Sequence, residues 1–338
     1  MGILCNTKMK IFKIIPLFIT MVLLLVSCNK KTEKNQSGDI IAVDSRGKTV
    51  QLEKFAERAV VLFAPMVDQL YMLQAGQQII GIPEQLYLTP STYSALSQLD
   101  QRIANKTLAT PTFGGRSANL ESVVGLKPDL AVVYEVDTET ISQLEELGVP
   151  VFTVSSKGEA SIFNELKEVS KLFGKEDRAD KLIQYVKGEL MKMRPEPKAV
   201  KKKVYYAWSK GRIFSTSGKG SLMDLAIESA GAQNACPLEM EAPNIGAELI
   251  YQWNPDLIIL WNSEPNDVYK LKELAALPAV INKQVFELKP TFNFDPHTLK
   301  FLLFAKQLHH WCYPEKGYDP NNDIKNSLTV LYGQEINQ

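Results

Sequence analysis

Two distant stretches of the chain carry nearly the same unit: NLESVVGLKPDLAVVY, ending at Tyr134, and GAELIYQWNPDLIILW, ending at Trp261. In each, a glutamate (Glu121 or Glu248) opens a short apolar helical pattern, and seven residues later Pro-Asp-Leu (from Pro128 or Pro255) runs into a strand. A unit written twice at this distance implies two lobes of like architecture.

The patterns around each copy agree. DIIAVDSRGKTVQL reads as a hairpin turning at Ser-Arg-Gly. It is followed by AVVLFA, a helical run from Asp68 to Ala75, IIGI, a loop rich in Pro, Ser and Tyr, a helix from Leu120, DLAVVY, a helix from Thr138 to Leu147, and VPVFTV. The period then turns helical. Ile162, Leu166, Val169 and Leu172 mark one helix ended by Gly174, and Leu182, Ile183, Val186, Leu190 and Met193 mark a second ended by Pro195. Alternation restarts with KVYYAW, RIFST, a helix from Ser221, the second copy, a helix from Lys270, QVFEL and a final helix from His297 to Trp311. This order predicts an α/β fold: two Rossmann-like lobes with mainly parallel sheets, joined by a single long helix, with a ligand cleft between the lobes at the strand ends. The expected boundaries are a signal over 1–27, a tether over 28–38, the first lobe over 39–175, the linker helix over 176–195 and the second lobe over 196–338.

With 338 residues and 45% hydrophobic composition, the chain has enough material for such cores. Its formal charge is zero, and three of its lysines (Lys8, Lys10, Lys13) fall in the first 27 residues, which hold no acid, so the rest is slightly acidic. That argues against a nucleic-acid partner. MKIFKIIPLFITMVLLLVSC, from Met9, has the basic start and apolar run of an export signal, and Asn29 to Gly38 is too polar to bury. Leu-Val-Ser-Cys before that tether resembles a bacterial lipoprotein signal, making Cys28 the expected acylation site and the cell envelope or periplasm, lipid-anchored to membrane, the expected location. Cys236 and Cys312 sit in no CxxC pattern, and export permits a disulfide between them that their spacing does not support.

The mature chain resembles the substrate-binding lipoproteins of bacterial ABC importers, of the helix-linked type that captures ferric siderophores, haem, cobalamin or metal oxyanions. DSRGKTVQLEKFAERAVVL, NLESVVGLKPDL, VYYAW to RIFSTSGKGSLMDLAIESAGAQN, FLLFAKQLHHWCYPEKGYD and LTVLYG carry the likeness in order. The resemblance implies a monomer without cofactor or catalytic activity, whose partners are a permease with its ATPase and a small metal-containing ligand, an iron chelate first. It also implies that Glu121 and Glu248 dock on permease arginines. A glutamate in a helix's first turn is also favoured by the macrodipole with no partner at all.

Residues just after the strands are the expected ligand contacts: Met66, Asp68, Tyr87, Phe113 and Arg116 in the first lobe, and Trp208, Lys219, Asn244, Trp261, Phe292 and His297 in the second. Aromatics there suit a flat or bulky ligand, while Arg116 and Lys219 suit anionic groups. Where the related cobalamin binders place stacking aromatics, Phe113 matches one position and Ala242 departs at another. STSGKGS lacks the Lys-Ser/Thr step of a phosphate loop and reads as a turn. Three histidines, two of them the neighbours His309 and His310, are too few to hold bare zinc or manganese. No G-x-S-x-G or HExxH offers an enzyme its machinery.

Overall fold

The computed structural model describes residues 39–113, 117–155, 158–193, 200–208, 211–314 and 319–337. The chain opens with an antiparallel hairpin, β1 (Ile40–Val43) and β2 (Thr49–Leu52), whose turn places Gly47 at φ 78°. The first lobe follows with β3 (Ala59–Val61), α1 (Ala64–Met72), β4 (Ile79–Gly81), α2 (Gln85–Leu88), α3 (Pro90–Ser97), α4 (Gln101–Ala104), the short pair β5 (Thr112–Phe113) and β6 (Ser117–Ala118), α5 (Leu120–Gly125), β7 (Leu130–Tyr134), α6 (Thr138–Glu146) and β8 (Val151–Val154). Two helices then lead across: α7 (Glu159–Phe173), stopped by Gly174 at φ 65°, and α8 (Glu176–Lys192). At 1.5 Å per residue α8 spans roughly 26 Å, close to a domain diameter.

The second lobe holds β9 (Lys203–Ala207), α9 (Leu222–Ser229), β10 (Gln233–Asn234), α10 (Ala247–Trp253), β11 (Leu257–Leu260), α11 (Pro265–Tyr269), α12 (Pro278–Ile281), β12 (Val285–Glu287), α13 (Phe301–Cys312) and α14 (Pro320–Tyr332). Both main sheets have four parallel strands, ordered β4-β3-β7-β8 and β10-β9-β11-β12. Their central strands are continuous apolar runs, LAVVY and LIIL, because helices cover both faces.

The repeated unit has a concrete structural role. Lys127 (φ 50°) and Asn254 (φ 46°) take left-handed conformations before Pro128 and Pro255, ending α5 and α10. The next aspartate in each copy clips the neighbouring strand: Asp129 accepts the amides of Glu57 (2.8 Å) and Arg58 (3.0 Å), and Asp256 accepts that of Lys203 (2.8 Å). The clipped residue then reaches back to the helix end, Arg58 donating to Leu126 O at 2.6 Å and Lys203 Nζ to Trp253 O at 3.3 Å. Each copy thus joins a helix C-terminus to two adjacent strands.

A single apolar cluster runs from the inner face of the first sheet (Val61, Val132, Phe152) through α8 (Leu182, Val186) and α13 (Phe304, Leu308) to the second sheet (Tyr206, Ile259). Separate clusters cover the outer faces, around Val133 in the first lobe and Ile258 in the second. α14 returns from the second lobe to pack on α1 as well as on α13. Arg178 of α8 fastens this junction by donating to Met72 O (3.1 Å), Val330 O and Leu331 O (both 2.8 Å). Lys306, buried in α13, meets Glu189 of α8 at 2.5 Å, Asp323 of α14 at 2.7 Å and Ser327 Oγ at 2.9 Å.

Some expected elements differ. The first-lobe helix begins at Ala64 because Pro65 sits in its first turn. RIFST forms no strand, only an isolated bridge between Ser215 and Asn244. The helix expected from Lys270 is a 3-10 turn, Lys272–Leu274, followed by α12. The last helix is α14, beyond Trp311. Cys236 and Cys312 are buried free thiols, and burial pushes Cys312 up to about 12. Among the described residues no helix is long and apolar enough to cross a membrane. Cys28, with the whole signal and tether, lies outside them.

Candidate ligand cleft

The two sheets point the C-terminal ends of their strands at a common cavity of about 730 Å³. Phe63 follows β3 and Tyr134 ends β7; their rings stack at 4.6 Å and 9°. From the second lobe, Trp208 follows β9 and Trp261 follows β11. Trp208 is held in place by its indole N–H, which donates to Thr216 O at 2.9 Å. Phe63 also meets the His297 ring edge-on at 6.1 Å, so aromatic contact bridges the lobes at the cleft floor.

The floor also contains a buried ion pair. Asp68 of α1 is 3% exposed, and its Oδ2 lies 2.8 Å from Lys300 Nζ, itself 2% exposed. Tyr332 of α14 donates to the other oxygen, Oδ1, and the Lys300 ammonium stands 3.5 Å from the Phe292 ring centre. Burial pushes the Asp68 carboxyl up from its ordinary value, opposed by Lys300 and Tyr332, and burial likewise raises Tyr332 far above its own. Three more carboxylates line the cleft: Asp137, Glu241 and Asp295. Among the described lining residues Lys300 is the one lysine or arginine, and Asp68 already neutralises it. His297 donates its backbone amide to Asp295 Oδ1 at 3.0 Å, and its buried Nδ1 has no partner. No group of three or more His, Cys, Asp or Glu among the described residues is placed to hold a metal ion.

Of the expected contacts, Asp68, Trp208, Trp261, Phe292 and His297 line this cavity. Met66 does not: it is fully buried on the core face of α1, while Ala64, Pro65 and Asp68 take the cleft side. Tyr87 turns toward Tyr93 at 6.0 Å, beneath Lys106, leaving Gln85, Leu86 and Thr89 to line the cleft. Lys219 and Asn244 are exposed and away from the lining. Arg116 and the side chain of Phe113 lie outside the described residues. The STSGKGS turn follows backbone need. A Cβ on Gly218 would fall 2.0 Å from Leu238 O, and Ser221 caps α9 by accepting the Asp224 amide at 3.2 Å. Phe63, Tyr134, Tyr206 and Glu241 were not anticipated. For Phe63 and Tyr134 the signal was their place at strand ends.

Glu121 and Glu248 are both exposed in the first turns of α5 and α10. Asn119 caps α5 by accepting the Ser122 amide at 3.1 Å. α10 has no side-chain cap, and the Glu248 carboxylate folds back over Gly246, where a Cβ would meet it at 2.5 Å.

Comparison with known proteins agrees with this architecture. The chain is 22% identical over 272 residues to the uncharacterized ABC transporter substrate-binding lipoprotein YvrC of Bacillus subtilis, covering 78% of this chain and 82% of that protein. It is 25% identical over 276 residues to the molybdate-binding protein MolA of Haemophilus influenzae, covering 73% and 77% respectively. A periplasmic solute binding protein from Veillonella parvula superposes with a TM-score of 0.74 at 22% identity, over 89% of this chain and 95% of that one, which establishes the fold. Residues 59–291, well over half of the chain, match the periplasmic binding protein family, and the chain belongs to that family.

Proposed function

We propose that the chain is the substrate-binding component of an ABC importer, capturing an iron chelate or a similar metal-containing ligand between its lobes and delivering it to a permease. The observation that carries this reading is the aromatic-lined cleft of about 730 Å³ at the facing strand ends, a volume suited to a compact chelate. The described lining refines the ligand class. Its one ammonium is already paired, and its remaining charges are carboxylates, which favours a chelate that is uncharged or positive over a bare oxyanion such as molybdate.

A ligand that binds only the folded state raises apparent stability by mass action, so a thermal-shift panel tests the reading. An uncharged or cationic ferric hydroxamate is expected to raise Tm and molybdate to leave it unchanged. Trp261→Ala is expected to lose the shift, read against the variant's own ligand-free Tm, which falls because Trp261 also packs against the core. A shift with molybdate alone, or with bare zinc or manganese alone, overturns the assignment.

The envelope location rests on Cys28. A polar tether cannot hold a membrane, whereas buried acyl chains at about 0.8 kcal/mol per methylene can. Cys28→Ser is therefore expected to move the processed protein into the soluble fraction with its Tm intact. A serine variant that still sediments fully refutes the anchor.

A further inference from the structure

The short turn Thr291–Phe294 is a wall with a cavity on each side. Thr291 and Phe292 face the ligand cleft, whereas Asn293 and Phe294 face a second cavity of about 620 Å³. The second cavity is closed by α3 of the first lobe on one side and by α13 and α14 on the other. Ser91 Oγ of α3 and Thr291 Oγ1 share a hydrogen bond of 3.1 Å at its edge, so its walls come from both lobes.

Its chemistry is the reverse of the cleft's. Its described lining holds two lysines and no carboxylate, with serine and amide side chains between them. Lys289 is engaged by Glu287 at 2.8 Å, whereas among the described residues Lys325 pairs with Glu335 at 3.6 Å, and both of those side chains are more than half exposed. So weak a surface pair leaves the Lys325 ammonium open to exchange for a ligand anion. Asn293 is 6% exposed, and its Oδ1 lies buried without a hydrogen-bond partner, an acceptor awaiting a donor. Phe294, Ile324 and Leu328 supply an apolar floor against which a carbon chain can lie.

We propose that this cavity is a second small-molecule site, selective for a polyhydroxylated carboxylate: the carboxylate meets Lys325 and a hydroxyl donates to Asn293 Oδ1. D-gluconate is the probe, with sorbitol lacking the anion and acetate lacking the hydroxyls. Calorimetry on the full chain in detergent is expected to give saturable gluconate binding, with sorbitol and acetate each weaker by about tenfold or more. Lys325→Ala, at an exposed position that leaves folding untouched, and Asn293→Leu are each expected to weaken gluconate by a similar factor. Hydrogen–deuterium exchange is expected to slow over the turn at Thr291–Phe294 and over α14. Lack of saturable binding, equal binding of all three probes, or full affinity in both variants overturns the proposal. So does protection confined to the cleft segments at Phe63 and Trp208, which would place gluconate in the cleft.

Discussion

Replacing Asp68 with alanine is expected to cost about 3–5 kcal/mol of folding stability, because it leaves a buried ammonium without its counter-charge. Lys300 is 2% exposed, its salt-bridge partner is Asp68 at 2.8 Å, and the Phe292 ring at 3.5 Å compensates only in part. Removing both charges at similar volume, as Asp68→Leu with Lys300→Met, is expected to stay within about 2 kcal/mol of the parent, since the desolvation penalty disappears with the pair. Urea unfolding at neutral pH measures both variants. An Asp68→Ala protein as stable as the parent at neutral pH would show that Lys300 does not depend on Asp68 for its burial.

Asp68 also illustrates how far the sequence could be read. Its place after a strand marked it as a ligand contact, and it does line the cleft. Its partners, however, lie 232 and 264 residues away, in Lys300 and Tyr332, and no local pattern announces them. The alternation of strands and helices was legible because each parallel strand is a short apolar run with helical periods on both sides. Boundaries slipped where proline and caps decide them, as at Ala64. α14 was overlooked although its signals were present: Asp319 caps it by accepting the Asn321 amide at 3.1 Å, Pro320 begins it, and Gly333 at φ 75° ends it. Lys306, beside Gln307 midway along its helix, looks like a surface residue in sequence; only the convergence of α8, α13 and α14 brings Glu189 and Asp323 to it. Lys219 reads in sequence as lying just after a strand, RIFST, but that segment forms none, and Lys219 is exposed beside Gly218, which is pressed against Leu238 O.

The double variant Glu121→Lys with Glu248→Lys is expected to abolish uptake while leaving ligand affinity within a few-fold and each helix start weaker by at most about 1 kcal/mol. The aspartate clips account for why Pro-Asp-Leu is repeated: they join strands, and they do so without the glutamates. What they leave unexplained is why an exposed glutamate opens both helices, when neither forms an ion pair or hydrogen bond with another described residue. α5 already has its cap in Asn119, so Glu121 is superfluous for closing that helix. In α10 the Glu248 carboxylate lies over Gly246 without capping the helix, so at both positions the local benefit is the macrodipole alone. Transport set against stability therefore separates the readings. If the glutamates are docking residues, Glu121→Lys alone reduces transport by more than its small loss of stability explains, and the double variant loses it, because lysines face the permease arginines across the interface. If they serve only their helices, Glu121→Lys and Glu248→Lys each lower stability by at most about 1 kcal/mol, and transport follows the folded fraction. Melting temperature, ligand affinity and transport measured on both single variants and the double decide between them. Normal transport by a well-folded double-lysine protein refutes docking through this pair.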